Sequence, residues 1–125
     1  MVTDFFRSRE LGMVIAERQL FLDGEATVRA RIGEPLLSDD DPPFAGCLIQ
    51  IEGIGSGRMR FIYGEDRMQA LWLALQALGS ELYASEEYET GRLTAFSDSD
   101  TSGDLHLPVL KAMEDLVRGT SAETP

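Results

Sequence analysis

"DRMQALWLALQALGSEL", residues 66–82, repeats its apolar residues at helical spacing along its whole length. Met68, Leu71, Trp72, Leu75, Leu78 and Leu82 recur at steps of three and four, which makes one broad apolar stripe on an amphipathic helix. Asp66 is a good N-cap, and Gln69 follows at the spacing of a capping box. The spacing predicts a helix over residues 66–84 whose stripe covers the apolar face of a sheet. Gly79 either bends this helix or ends it early. Ala70, Leu73 and Ala77 fall on the opposite side, small and flat except for one leucine. That side reads either as a surface covered by the C-terminal segment or as a homodimer contact, where small residues let helices approach closely.

The sheet that such a helix needs lies upstream. "MVIAERQLFL" (13–22) is rich in strand formers and ends at Asp23-Gly24, a hairpin turn signal. "ATVRARI" then alternates, with Ala26, Val28, Ala30 and Ile32 towards a core and Thr27, Arg29 and Arg31 away from it. Three consecutive Asp and two Pro (39–43) mark a loop, because proline cannot join a central strand. "AGCLIQIEGI" resumes the strand pattern with Cys47, Ile49 and Ile51 on one face. After the glycine-rich turn "GIGSG", "RMRFIYG" returns with Met59, Phe61 and Tyr63 expected inward. Residues 92–96, "RLTAF", add a candidate fifth strand, and a short C-terminal helix is expected from near Pro108. The fold class is therefore α+β: a four- or five-stranded antiparallel sheet, one polar face, and one long helix packed on the other. Residues 1–12 read as an N-terminal arm, 13–118 as a single domain, and 119–125 as a disordered tail.

Composition narrows the function. The chain of 125 residues carries 22 acidic and 11 basic side chains, a net charge of −11 that repels a phosphate backbone and so disfavours nucleic-acid binding. The same charge favours encounter with a basic protein partner. Every basic residue except Lys111 is arginine. The single cysteine, Cys47, cannot form an intramolecular disulfide, which suits a reducing cytoplasm. No secretory leader is evident, and no apolar run approaches the roughly 20 residues that span a bilayer. A cytoplasmic protein without a membrane partner is expected.

Candidate chemistry is sparse. "DSDTSGDL" (98–105) places Asp98, Asp100, Ser102 and Gly103 at the first, third, fifth and sixth positions of a calcium loop, with Asp104 beside them as a further oxygen donor. Position twelve, where a bidentate Glu belongs, is Val109, so the stretch reads first as an acidic connector and only second as a metal site. "GIGSG" lies between strands and not before a helix, which makes it a hairpin turn and not a phosphate loop. His106 is the only histidine, so any nucleophile–base pair must use it, and Cys47 sits mid-strand on the core face as an inert small hydrophobe. The many acidic residues leave paired-carboxylate chemistry open but nonspecific. One Cys and one His also fall short of a zinc ligand set. No cofactor is expected. By alternation Arg29 and Arg31, with Arg58 and Arg60 on the fourth strand, share the polar sheet face. They read as cross-strand ion pairs or as a docking face for a carboxylate-bearing partner or anion.

"YGEDRMQALWLALQALGSEL" with its preceding hairpins resembles a group of small bacterial proteins of unknown function. In that group a Gly, an Asp, a Gln-Ala-Leu and a Leu-Ala pair open one long helix behind an antiparallel sheet. Gly64, Asp66, Gln69, Ala70, Leu71, Leu73, Ala74 and Gly79 carry the resemblance, which covers residues 13–84. These are capping and packing positions, so the resemblance implies the fold and transfers no catalytic residues. Taken together, the residues point to a non-enzymatic interaction protein of immunity or adaptor type that binds a basic protein. The alternative is a small-molecule or metal-ion domain that uses the arginine face or the 98–104 loop.

Overall fold

The computed structural model describes residues 13–96 and 102–110. The expected N-terminal arm, the C-terminal helix beyond Leu110 and the tail lie outside the described residues, and Pro108–Leu110 carry no regular structure.

Strands β1 (Val14–Leu22) and β2 (Glu25–Gly33) form the expected hairpin, with Leu20 opposite Val28 and Arg18 opposite Ala30. Asp23 and Gly24 at its tip have φ of 53° and 83°, the paired positive values of a two-residue turn that matches strand twist. β2 pairs with β4 (Ala45–Glu52), which pairs in turn with β5 (Arg60–Gly64). The two-residue β3 (Leu36–Leu37) pairs with Gly46 and Ala45. β5 pairs with those same two residues, so β3 takes the opposite edge of β4 and prolongs the line of β2. β6 (Leu93–Thr94) pairs with β1, which completes a six-stranded antiparallel sheet.

Residues directly opposite each other share a face. Leu20, Val28, Ala30, Ile32, Cys47 and Ile49 therefore line one face together, and all are buried. Removing a large aliphatic side chain of this kind from water is worth about 1.5–3 kcal/mol. Ala26, at the exposed start of β2, does not join them. The parity of β5 is opposite to expectation. Ile62 faces Cys47 and Arg60 faces Ile49, so Phe61 and Tyr63 lie on the outer face beside Leu48. Three consecutive large apolar residues, Phe61, Ile62 and Tyr63, give alternation nothing to decide on.

Helix α1 (Arg67–Tyr83) lies mainly across β4 and β5. Asp66 caps it, its carboxylate accepting the Gln69 N–H at 2.7 Å, while the Gln69 side chain accepts the Glu65 N–H at 2.6 Å. This reciprocal pair satisfies donors that the helix start leaves open. The buried face is only part of the expected stripe: Leu71, Leu75, Leu78 and Leu82 pack on the core, but Met68 and Trp72 do not. Ala70 and Ala74 are 0% exposed and Ala77, Leu78 and Leu82 are buried, whereas Met68 is 81% and Trp72 52% exposed. Closeness is the cause: a Cβ on Gly64 would lie 2.6 Å from the Ala70 nitrogen, so β5 and α1 touch backbone to backbone. Of the three residues on the side opposite the expected stripe, Ala70 and Ala77 are buried within this chain and Leu73 is half-buried.

A short helix α2 (Glu86–Glu89), capped by Ser85, follows, and then a strap of residues 102–110 returns over α1. Leu105 and Val109 from the strap complete the core. Gly79 does not end α1, which continues to Tyr83. A Cβ there would run into the Pro108 carbonyl oxygen and lie 3.0 Å from its carbon, so the glycine lets the strap cross the helix. In an ordinary helix Gly→Ala stabilises by about 1 kcal/mol. Here Gly79→Ala is expected to destabilise, by about 1–3 kcal/mol from overpacking. Urea unfolding of the two proteins checks the sign.

Candidate functional site

The four arginines expected on one face are divided between two. Arg29 and Arg31 are on the outer face of the sheet. Arg31 is held between Glu17 at 2.6 Å and Glu52 at 3.0 Å, a cross-strand cluster that neutralises its charge. Arg29 is exposed beside it, opposite Glu52 in register. Further along this face Tyr63 contacts Phe44 and Phe61, with ring centroids 6.0 and 5.9 Å apart, and these aromatics adjoin the buried Leu48. The outer face therefore has a charged half and an aromatic half.

Arg58 and Arg60 belong to the helix side. Arg60 forms an ion pair with Glu81 of α1, and Arg58 lies with it at a cleft of about 500 Å³. The cleft opens between the β4–β5 loop and the C-terminal end of α1, over Ile49, Ile51 and Ile54, with Glu87 of α2 on the far rim. The loop is shaped by Gly53, Gly55 and Gly57, all at positive φ, and by the Gln50 amide, which donates to the Gly57 carbonyl at 3.0 Å. Glycine alternation read as a turn is thus correct, and the cleft is its by-product.

Arginine and tyrosine fix the strap. Arg18 projects from the core face of β1 and donates to the carbonyls of Leu105 and His106 at 2.9 and 2.7 Å. Its guanidinium also sits 5.1 Å from the Phe96 ring centroid, a cation–π contact. The Tyr83 hydroxyl accepts the Leu105 N–H at 2.8 Å, and the Tyr88 hydroxyl donates to the Gly103 carbonyl at 2.6 Å. Burial pushes both phenols above their ordinary pKa, and the Asp104 carboxylate adds to it. Asp23 and Arg92 clip β6 to the first hairpin, and this hydrogen-bonded pairing holds the Asp23 carboxyl below its usual value.

Of the expected metal donors, Asp98 and Asp100 lie outside the described residues. Ser102 accepts the Asp104 N–H at 3.2 Å, and Asp104 accepts the His106 N–H at 2.7 Å. Those oxygens serve the local chain. Among the described residues no group of three or more His, Cys, Asp or Glu is placed to hold a metal ion. His106 stacks near Phe96 at 5.0 Å, with its Nδ1 3.6 Å from Asp104. Cys47 donates to the Gly33 carbonyl at 3.2 Å and is fully buried, and burial raises its pKa to about 11.

Two features escape periodicity. The cleft depends on which way β5 faces, and the exposed Met68–Trp72 pair depends on how close α1 comes to the sheet. Gly64 is the one residue that signals the latter, since only a side chain without Cβ admits such an approach.

An antiparallel sheet with one covering helix and a returning strap defines an α+β domain. Residues 16–109 match the family described as a domain of unknown function, DUF6968, and the chain belongs to that family. The matched span runs from β1 through the strap, so the strap is part of the family's domain. No curated protein and no solved structure matches the chain. Among the described residues no helix is long and apolar enough to cross a membrane.

The raised Cys47 pKa has a testable sign. Folding favours the protonated thiol, so its contribution is fully present below the ordinary pKa of 9.0 and fades as pH rises towards about 11. At pH 8 the folded protein is expected to react with a thiol reagent at least about a hundredfold more slowly than the urea-unfolded chain, because both thiolate and access are denied. Absorbance kinetics with and without urea measure this ratio.

Proposed function

We propose that this chain is a non-enzymatic cytoplasmic binding domain, of immunity or adaptor type, that takes a basic protein partner on the exposed N-terminal half of α1. The observation that carries the reading is the exposure of Met68 and Trp72, four residues apart and so adjacent on one helix face. Tryptophan dominates the energetic centres of protein interfaces, and methionine adapts its shape to a partner. Glu65 and Asp66, both exposed, precede this pair with Arg67 between, and the net charge of −11 steers a basic surface towards the chain. A buried, protonated Cys47 and a His106 engaged with Phe96 support binding in preference to catalysis.

Trp72 is the only tryptophan, so it reports on its own surface. A basic partner recovered from the source cell and purified is titrated into chain labelled with 5-fluorotryptophan. The single fluorine resonance is expected to shift at a 1:1 ratio, with affinity falling as salt rises. Met68→Ser/Trp72→Ser, at positions outside the core, is expected to keep its melting temperature and lose at least about 2 kcal/mol of binding. A partner that binds the double variant equally well, or leaves the resonance unmoved, overturns the reading.

A further inference from the structure

We propose that the cleft between the β4–β5 loop and the end of α1 is a binding site for a small monocarboxylate with a compact apolar body. The site is built from three kinds of group. Ile49, Ile51 and Ile54 supply an apolar floor, and the cleft volume of about 500 Å³ is that of a small-molecule pocket. Arg60 is already paired with Glu81, so it contributes shape and little free charge. Arg58 differs: among the described residues it has no carboxylate partner, and only its backbone N–H is bonded, to the Ser56 hydroxyl at 3.2 Å.

A guanidinium without a partner, beside an isoleucine floor, is complementary to one carboxylate carried on an apolar group. The planar fork can take both oxygens of that carboxylate at once. Charge sets the limit on the ligand. Glu81 and Glu87 also line the cleft, in a chain of net charge −11, so a second negative charge would be repelled. The same acidic field disfavours a bare inorganic anion, which would gain nothing from the isoleucines. The head group therefore sits at Arg58 and the body reaches over Ile54 towards Ile49. This site is separate from the Met68–Trp72 surface. Trp72 and Glu81 are nine residues apart on α1, about 13 Å along the helix axis.

The test is a two-dimensional NMR titration of the full chain, labelled at isoleucine methyl groups and arginine side chains. The probes are phenylacetate, phenylacetamide, acetate and phenyl phosphate. Phenylacetate is expected to give saturable shifts at the methyls of Ile49, Ile51 and Ile54 and at the Arg58 guanidinium. Each of the other three is expected to bind at least about tenfold more weakly: phenylacetamide for want of a charge-assisted hydrogen bond, acetate for want of an apolar body over the isoleucines, and phenyl phosphate because its second charge is repelled by Glu81 and Glu87. Arg58→Gln is expected to weaken phenylacetate by a similar factor with an unchanged melting temperature, since Arg58 is exposed. Arg29→Gln, on the opposite sheet face, is expected to leave it unchanged. No saturable shift, equal binding of the amide, or full binding by Arg58→Gln overturns the proposal, whatever the outcome at Trp72.

Discussion

The structure depends on how closely α1 is held between the sheet and the strap. On the sheet side Gly64 meets the backbone of Ala70. On the strap side Gly79 meets the Pro108 carbonyl. Where backbone meets backbone, a helix squeezed from both sides must present small residues, because interiors are packed at crystal density and do not stretch to admit a larger group. Ala70, Ala74 and Ala77 are buried along the helix, and Leu78 and Leu82 are buried near its end. Met68 and Trp72 have no room inside, so they face water. The exposed surface at the start of α1 thus follows from the tight packing beneath it.

The overall plan of the fold can be read from the residues. Asp23-Gly24 marks the first hairpin, Asp66 and Gln69 mark the helix start, and the alternation of β2 and β4 marks the core face. The helix face was harder, since hydrophobic periodicity ranks residues by apolar character and says nothing about the width of the gap they must fill. With that width fixed by Gly64, alanine becomes the better core residue and tryptophan the worse. β5 failed for a related reason. Its three large apolar residues offer either face to the core, and the pairing set through the β4–β5 loop decides which. The site inherited this ambiguity: Arg58 and Arg60 moved to the helix side once Ile62 faced inward.

The arginines show a common use despite their scatter. Arg18 binds two strap carbonyls, Arg31 joins β1 and β4 through Glu17 and Glu52, Arg60 joins β5 to α1, and Arg92 joins β6 to the first turn. Each connects two different elements, far apart in the chain for Arg18 and Arg92, and a rigid, multidentate donor suits this better than the flexible point charge of lysine. Individually such half-exposed pairs are worth little, on the order of 1 kcal/mol or less. Their value lies in register and placement. Arg18 matters most here, because the strap contributes no strand or helix of its own within 102–110 and is held by side chains alone.

A helix fixed at both ends also constrains how its two surfaces act. The Asp66–Gln69 cap holds the start of α1, while Tyr83, Ser80 and Gly79 bind the strap near its end. Sliding or rotating α1 would drive Gly64 and Pro108 into larger side chains, so the helix has one seat in this packing. Coupling between distant sites needs an element with two arrangements that both ligands bias. With α1 pinned by backbone contacts at Gly64 and Gly79, a ligand at the proposed Arg58 cleft is expected to leave binding at the proposed Trp72 surface unchanged.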